Sequence, residues 1–562
     1  MRSTRYYDAN AKSLNEYYNS LAVASVHRSW LKGHLPENPG IACDIGAGSG
    51  RDANWLAARG WDVIAVEPSN EMRQAAQKHT HPNVAWLDDS LPDLEKLRLL
   101  GHRFDLVLLS AVWMHVLPGK RERAFRIISE LLNPSGVLVV TLRHGGDDAE
   151  NAERGFHEVT ADELLEFARK RALSVTHQSA EPDQRRRHVH WQTLVFTMPD
   201  DGTGSLPLLR HIIVNDDKSS SYKLGLLRVL TRIAEGCPGA IMHRTDQHVD
   251  IPLGLVGLFW LKQYKPLLLS HRIPQHPNTR QGYGFAREDF FKLERVSSYD
   301  LRVGAHIGSE LAPIVIGAIR DACQNITSMP VKYITYPGQN RPVFEFERRS
   351  IHKKQAAVTL SLDFLQKFGL LRIPVRVWET MSHYACWLEP AILREWAGLT
   401  RSWGISDYQH TDLSVFDWEE GRRDTSIAAS RASALNAEGT RVVCVWSAAK
   451  VRAPQIDHCF PWSRWLNNDL WNLMPASAAV NMSKGDKLPS ATAMADAHDR
   501  ITDWWNRAYM DTPLRARFLL EAGSSLPRLV PGEPGLSDLY EAMLHQRARL
   551  KADQQLVEWT LN

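Results

Sequence analysis

Across the first 200 residues, short apolar runs alternate with amphipathic stretches. The runs read IACDIGA, DVIAVEP, NVAWLD, FDLVLLSAV, GVLVVTLR and, later, QTLVFTM. Brief β-branched runs separated by helical patterns predict βαβ units and a largely parallel sheet covered on both faces. Near residue 200 the segment PDDGTGSLP gathers proline, glycine and aspartate and reads as a linker. From there to about 435 the pattern is mixed and mostly helical. SSSYKLGLLRVLTRIAE, for instance, places serines as N-cap candidates ahead of a helical repeat. The most apolar stretch, IPLGLVGLFWLKQYKPLLL, is interrupted by Pro252, Lys262 and Lys265, short of the ~20 apolar residues that a spanning helix needs. It is expected to be buried core, with no membrane association. A tryptophan-rich region then carries Trp446, Trp462, Trp465, Trp471, Trp504 and Trp505.

At 562 residues the chain exceeds what one hydrophobic core usually serves. Lys and Arg total 67 against 64 Asp and Glu, so any nucleic-acid partner must be met by a local patch. The six cysteines form no Cys-x-x-Cys pair. That disfavours a disulfide framework or a four-cysteine zinc site and makes a reducing cytoplasm the natural compartment. The first twenty residues are polar throughout, with no secretory signal expected.

The first chemical constellation is Asp44-Ile-Gly46-Ala-Gly48-Ser-Gly50, at the end of the first predicted strand. Glycine permits a tight turn and lets backbone approach a ligand, while the following helix offers free N–H groups. Glu67 in VIAVEP ends the second strand, where a carboxylate can accept both ribose hydroxyls. A nicotinamide cofactor wants Gly-x-Gly-x-x-Gly, but the last required position is Arg51. Asp44 instead suits a cofactor with a positive amino-acid end. This region, residues 1–199, resembles class I S-adenosylmethionine-dependent methyltransferases. The resemblance implies that DIGAGSG is the family's first motif, that Glu67 binds ribose, and that Asp88 in WLDDSLPDL contacts adenine. It also implies that YYDANAKSLNEYYNS is a helix closing over the cofactor. Amino-methyltransferases of DNA in this family carry Asn/Asp-Pro-Pro-Tyr after the fourth strand, whereas this chain has Ser110-Ala-Val-Trp113-Met-His115. Base methylation of DNA is disfavoured. Trp113 and His115 are candidates to line an acceptor pocket, His115 as a base, with a merely packed histidine as the alternative.

The second constellation is Gln455-Ile-Asp457-His458-Cys-Phe-Pro461, then Asn472-Leu, then Asn481-Met-Ser-Lys484-Gly-Asp-Lys487-Leu-Pro489. Phosphodiester hydrolysis needs a base for water, a divalent cation at the phosphate and a cation near the leaving group. Asp457 and Asn481 are candidate ligands for Mg²⁺ or Mn²⁺, and His458 is the candidate base. The segment looks like an HNH, or ββα-metal, endonuclease over residues 438–530. By that resemblance Asn472 braces the loop, Asn481 opens the helix and Lys484 meets phosphate or the leaving group. Many relatives carry a zinc staple of two Cys-x-x-Cys pairs. Here those positions read Cys444, Ser447, Ser477 and Val480, so packing of the tryptophans is expected to replace it.

The predicted fold is α/β and multidomain: a Rossmann-like methyltransferase sheet at 1–199, a mixed, mostly helical middle at 200–437, a ββα-metal nuclease at 438–530 and a helical tail at 531–562. Asn215-Asp-Asp217-Lys218 is read as a helix-capping turn. The basic runs at 185–188 and 348–354 are read chiefly as solvated faces, with phosphate tracking as the alternative. The middle is assigned target recognition or assembly by elimination. The expected activity is a nuclease of an anti-phage or restriction-type system acting on DNA in preference to RNA. Its S-adenosylmethionine domain modifies a non-base acceptor or senses the cofactor. The rival reading is a methyltransferase for a small molecule or RNA with an accessory nuclease. The acceptor, the cleavage specificity and self-association into a homo-oligomer stay open.

Overall fold

The computed structural model describes residues 2–183, 185–277, 284–351, 356–403, 413–418, 421–527 and 534–561. They fall into two units, Met1–Gly204 and Ser205–Asn562.

The first unit is built on one seven-stranded sheet. Its strands are β1 (Ile41–Ile45), β2 (Asp62–Val66), β3 (Val84–Leu87), β4 (Phe104–Ser110), β5 (Leu132–Gly145), β6 (Ser174–Pro182) and β7 (Val189–Thr197). The order is β3-β2-β1-β4-β5-β7-β6, parallel from β3 to β5, with β7 antiparallel between β5 and β6. The central strands are apolar in both alternations because both faces are covered. Cys43, Ile45, Val107 and Leu109 enter one hydrophobic cluster, while Ala42, Leu106 and Leu108 enter the other. Each fully buried Val, Leu or Ile contributes about 1.5–3 kcal/mol, which favours an unbroken apolar run. β6 is an edge strand with two thirds of its residues exposed, and its SVTHQSAEP shows no apolar run.

In the second unit one cluster is formed around the helices Tyr222–Gly236, Leu253–Lys265, Ala312–Ser328, Val375–His383 and Ala385–Ser402. An antiparallel sheet accompanies them, ordered Glu345–Arg348, Gly369–Pro374, His248–Pro252, His243–Arg244. The most apolar stretch is the helix Leu253–Lys265, buried on nearly every side. Among the described residues no helix is long and apolar enough to cross a membrane. Ser221 stands at the N-cap of Tyr222–Gly236, but its hydroxyl pairs with Tyr264 Oη at 3.1 Å and makes no cap bond. The Asn215–Lys218 turn follows a helical segment instead of starting one, and Lys218 Nζ donates to the Asp216 carbonyl. The basic run at 185–188 caps the turn before β7, where Asp183 accepts from the Arg186 guanidinium and two backbone amides. Of the other run, Arg349 pairs with Glu347, and 352–354 lie outside the described residues.

A second cluster spans Ala428 to Trp559. The strands Gln455–His458 and Leu473–Ala476 form an antiparallel hairpin, and the helix Ala478–Lys484 follows at once. Tryptophans hold this hairpin from beneath. Trp504 Nε1 donates to the Leu473 carbonyl and Trp505 Nε1 to the Trp471 carbonyl. The described residues after 533, expected as a tail, contribute Leu539, Met543, Leu550 and Trp559 to the same cluster. Glu558–Trp559 also pairs in parallel with Leu488–Pro489.

Candidate functional site

The glycine turn after β1 and the ends of β2 to β4 open on a cavity of about 900 Å³. Gly46 has φ +71°, and a Cβ there would lie 2.5 Å from Val112 Cγ2. The turn is thus closed to any side chain by strain and by space. Gly48 lines the cavity, while Gly50 caps the next helix in the left-handed region and packs on the Trp86 ring. Asp44 is 2% exposed, and its Oδ2 has no hydrogen-bond partner among the described residues. Burial, then neighbouring Asp52, push its carboxyl well above the usual carboxylate range. A buried carboxylate with an idle oxygen at a cavity wall favours a cation, which fits the ammonium end of S-adenosylmethionine. Glu67, raised by burial, accepts the backbone N–H groups of Gly48 and Ser69 and keeps lone pairs for a diol.

Two placements differ from expectation. Asp88 is half exposed, paired with Arg73 and Lys96, and does not line the cavity. The next residue, Asp89, lines it with Ser90 and Leu91 in the loop beyond β3, its carboxylate accepting the backbone N–H groups of Ser90 and Leu97. Trp113 is fully buried against Phe125 in the hydrophobic core and makes no pocket wall.

His115 does reach the cavity. Its Nε2 pairs with Tyr7 Oη at 3.2 Å and its Nδ1 is buried without a partner. Burial, then Arg154, lower its pKa to about 4, so the ring is neutral at physiological pH. Tyr7 and Tyr18 come from the N-terminal helices Arg2–Ala9 and Ala11–Asn19, and Arg154 donates to both hydroxyls. These helices rest on the helix Asn70–Gln77, where Asp8 accepts from Ser69 Oγ at 2.6 Å. The sequence pattern did not single out Arg154 and the two tyrosine hydroxyls, which lie far apart along the chain.

In the C-terminal cluster, Asp457 and His458 end the first hairpin strand. Asn472 is fully buried. It accepts from Phe460 N and donates to the carbonyls of Phe460 and Asn467, bracing the loop without reaching solvent. Lys484 is also fully buried, donating to Asp457 Oδ1 at 3.0 Å and to the His458 carbonyl at 2.7 Å. A role for Lys484 at phosphate or leaving group is therefore corrected, since a buried ammonium must stay with its carboxylate. The second Asp457 oxygen accepts from Trp446 Nε1 at 3.0 Å. Asn481 lies one turn inside the helix, which Ser477 caps, and its Nδ2 donates to Gln455 Oε1. Asn481 and Lys484 are three residues apart on one helical face, opposite Gln455 and Asp457 on one strand face. Asn481 thus meets the start of the strand at Gln455, and Lys484 its end at Asp457 and the His458 carbonyl. Carboxylate and amide oxygens are donors of the kind a hard divalent ion takes, and Asp457 keeps a lone pair on each oxygen. His458 is 2% exposed, its pKa lowered chiefly by burial against the raising pull of Asn468.

Comparison with known proteins follows the same division. A methyltransferase domain family matches residues 43–140, an HNH endonuclease family 448–490, and a domain of unknown function (DUF8808) 202–416. An uncharacterized methyltransferase of Alkaliphilus oremlandii is 28% identical over 101 residues, 18% of this chain and 44% of that one. Ubiquinone biosynthesis O-methyltransferase of Azorhizobium caulinodans is 33% identical over 98 residues, 17% of this chain and 38% of that one. The chain thus spans less than half the length of these relatives. Among solved structures, 1,6-didemethyltoxoflavin-N1-methyltransferase of Burkholderia thailandensis, with bound 1,6-didemethyltoxoflavin and S-adenosylhomocysteine, is similar at 22% identity and a TM-score of 0.28, covering 35% of this chain and 87% of that one. N-methyltransferase NodS of Bradyrhizobium japonicum is similar at 15% identity and a TM-score of 0.26, covering 34% of this chain and 99% of that one. Residues 43–140 are a methyltransferase domain and residues 448–490 an HNH endonuclease domain, carried on one chain.

Proposed function

We propose that the chain is a metal-dependent nuclease joined to an S-adenosylmethionine-binding domain, cleaving foreign DNA in a restriction-type or anti-phage system. The observation that carries the nuclease reading is a braced hairpin strand that ends in Asp457 and His458, with its partner strand passing at once into the helix that bears Asn481 and Lys484. The defence role rests on association, a nuclease joined to a cofactor-binding domain. We further propose four segments: 1–199 for the cofactor, 200–437 for target recognition or assembly, 438–530 for cleavage, and 531–562 closing the nuclease core.

In the nuclease, His458 takes a proton from water, and Lys484 and Asn472 fix the strand and loop that carry it. Asp457 and Asn481 would hold Mg²⁺ or Mn²⁺, which supplies charge neutralisation at the phosphate. With Lys484 already offsetting the Asp457 charge, we expect weak ion binding without nucleic acid. In the methyltransferase, Asp44, Gly46, Gly48 and Glu67 would hold S-adenosylmethionine, which supplies an electrophilic methyl group. Asp89 stands where the adenine contact was expected of Asp88. His115 is the candidate base for a hydroxyl or amine acceptor, with a merely packed histidine as the alternative, and Tyr7 holds its Nε2.

Asp44→Ala and Glu67→Ala should each weaken S-adenosylmethionine binding at least ~tenfold, about 1.4 kcal/mol. Calorimetric titration checks this, and unchanged affinity in both variants contradicts the assignment. Gly46→Val should abolish binding. Host DNA from cells making the active protein should carry no new methyl-adenine or methyl-cytosine. Mass spectrometry of digested DNA decides it, and a methylated base that disappears with Asp44→Ala would make the protein a self-contained modification enzyme.

A further inference from the structure

One short segment outside both enzymatic family matches reaches the nuclease base. Arg423 Nε donates to His458 Nδ1 at 3.3 Å, and Asn468 Oδ1 pairs with His458 Nε2 at 3.0 Å. Asn468 is tied to the same segment, accepting from Asp424 N at 3.1 Å and donating to the Arg422 carbonyl at 2.8 Å. A guanidinium only donates, so Nδ1 is the acceptor and the ring proton sits on Nε2, donated to Asn468. Upstream, the chain is anchored in the middle cluster. The buried Phe416 offers its carbonyl to Arg228 Nη2 at 2.7 Å, and the Trp418 ring lies 4.7 Å from the Arg232 guanidinium carbon and 5.4 Å from that of Arg228. Arg422 and Arg423 are exposed, and among the described residues no carboxylate pairs with Arg423. A cation resting on an imidazole nitrogen has a weaker acceptor than an anionic oxygen. A phosphodiester oxygen would make a shorter, charge-assisted bond, frequently bidentate.

We propose that Arg423 contacts the scissile phosphate of the nucleic acid, and that Asn468 is the positioning residue holding both His458 and the arginine-bearing segment. The proposal rests on the nuclease reading. As substrate enters, Arg423 exchanges the imidazole for non-bridging phosphate oxygens and frees Nδ1. Water then gives its proton to Nδ1 while its oxygen bonds to phosphorus. The P–O bond to the leaving alcohol breaks, and that oxygen takes a proton from solvent. Arg423 balances the charge that grows on the non-bridging oxygens. The middle region thereby supplies a working residue to the nuclease.

The test uses the full chain and a fluorescein-labelled oligonucleotide of whichever type, DNA or RNA, the wild type cuts, with Mg²⁺ present. Arg423→Ala should lower kcat/KM ~10²-fold or more at an unchanged thermal midpoint. Arg423→Lys should recover only part, because an ammonium lacks the two-pronged donor. Asn468→Ala should lower kcat with KM unchanged, and Asn468→Asp, which retains the acceptor for Nε2–H, should restore part of it. The proposal is overturned if Arg423→Ala cleaves at or above the wild-type rate while His458→Ala is inactive. The nuclease reading itself falls if His458→Ala is as fast as wild type.

Discussion

His458→Ala should slow cleavage about 10²–10⁴-fold while the fold and the ion affinity are retained, the usual value of a positioned general base. The loop around this histidine is held by other groups: Asn472 spans it with three bonds and Lys484 grips the His458 carbonyl, which alanine keeps. The expected pattern is a normal thermal midpoint, unchanged Mn²⁺ binding and a collapsed kcat. Asp457→Ala and Asn481→Ala should behave differently, their defect partly relieved by more Mg²⁺ or by Mn²⁺. A His458→Ala chain that loses stability and activity together would assign the histidine to packing.

Lys484→Met should cost about 3–5 kcal/mol of stability, because it leaves the Asp457 carboxylate buried without its cation. The side chains are 0% and 4% exposed at a separation of 3.0 Å, so solvent cannot replace the lost partner. Urea denaturation checks the loss. The double variant Lys484→Met with Asp457→Asn should regain most of it, since the charge is then removed with its partner. If Lys484 instead met the phosphate, Lys484→Met would keep its stability and lose activity with a changed salt dependence.

What was legible in the sequence depended on locality. Apolar runs marked the central strands because both of their faces are buried, while β6, a polar edge strand, left no such signal. Asp44, Gly46 and Glu67 were readable because a turn and two strand ends lie at short, fixed spacings. Asp88 and Asp89 follow the end of β3, where no alternation tells which acid faces the cavity. The acid-histidine pair and both asparagines were readable as types in order, but burial is not, so Lys484 read as a surface cation. Arg423 lies 35 residues before His458, and only tertiary contact joins them.

The central claim is that this chain hydrolyses nucleic acid at His458. The most direct measurement offers the purified full chain supercoiled plasmid, single-stranded DNA and RNA side by side, with Mg²⁺ or with EDTA, and runs His458→Ala in parallel. The account predicts that the wild type cuts, DNA in preference to RNA, that EDTA stops it, that restored Mg²⁺ revives it, and that His458→Ala fails on the same substrate. Cleavage by His458→Ala at the wild-type rate, or cleavage unchanged in EDTA, would contradict it.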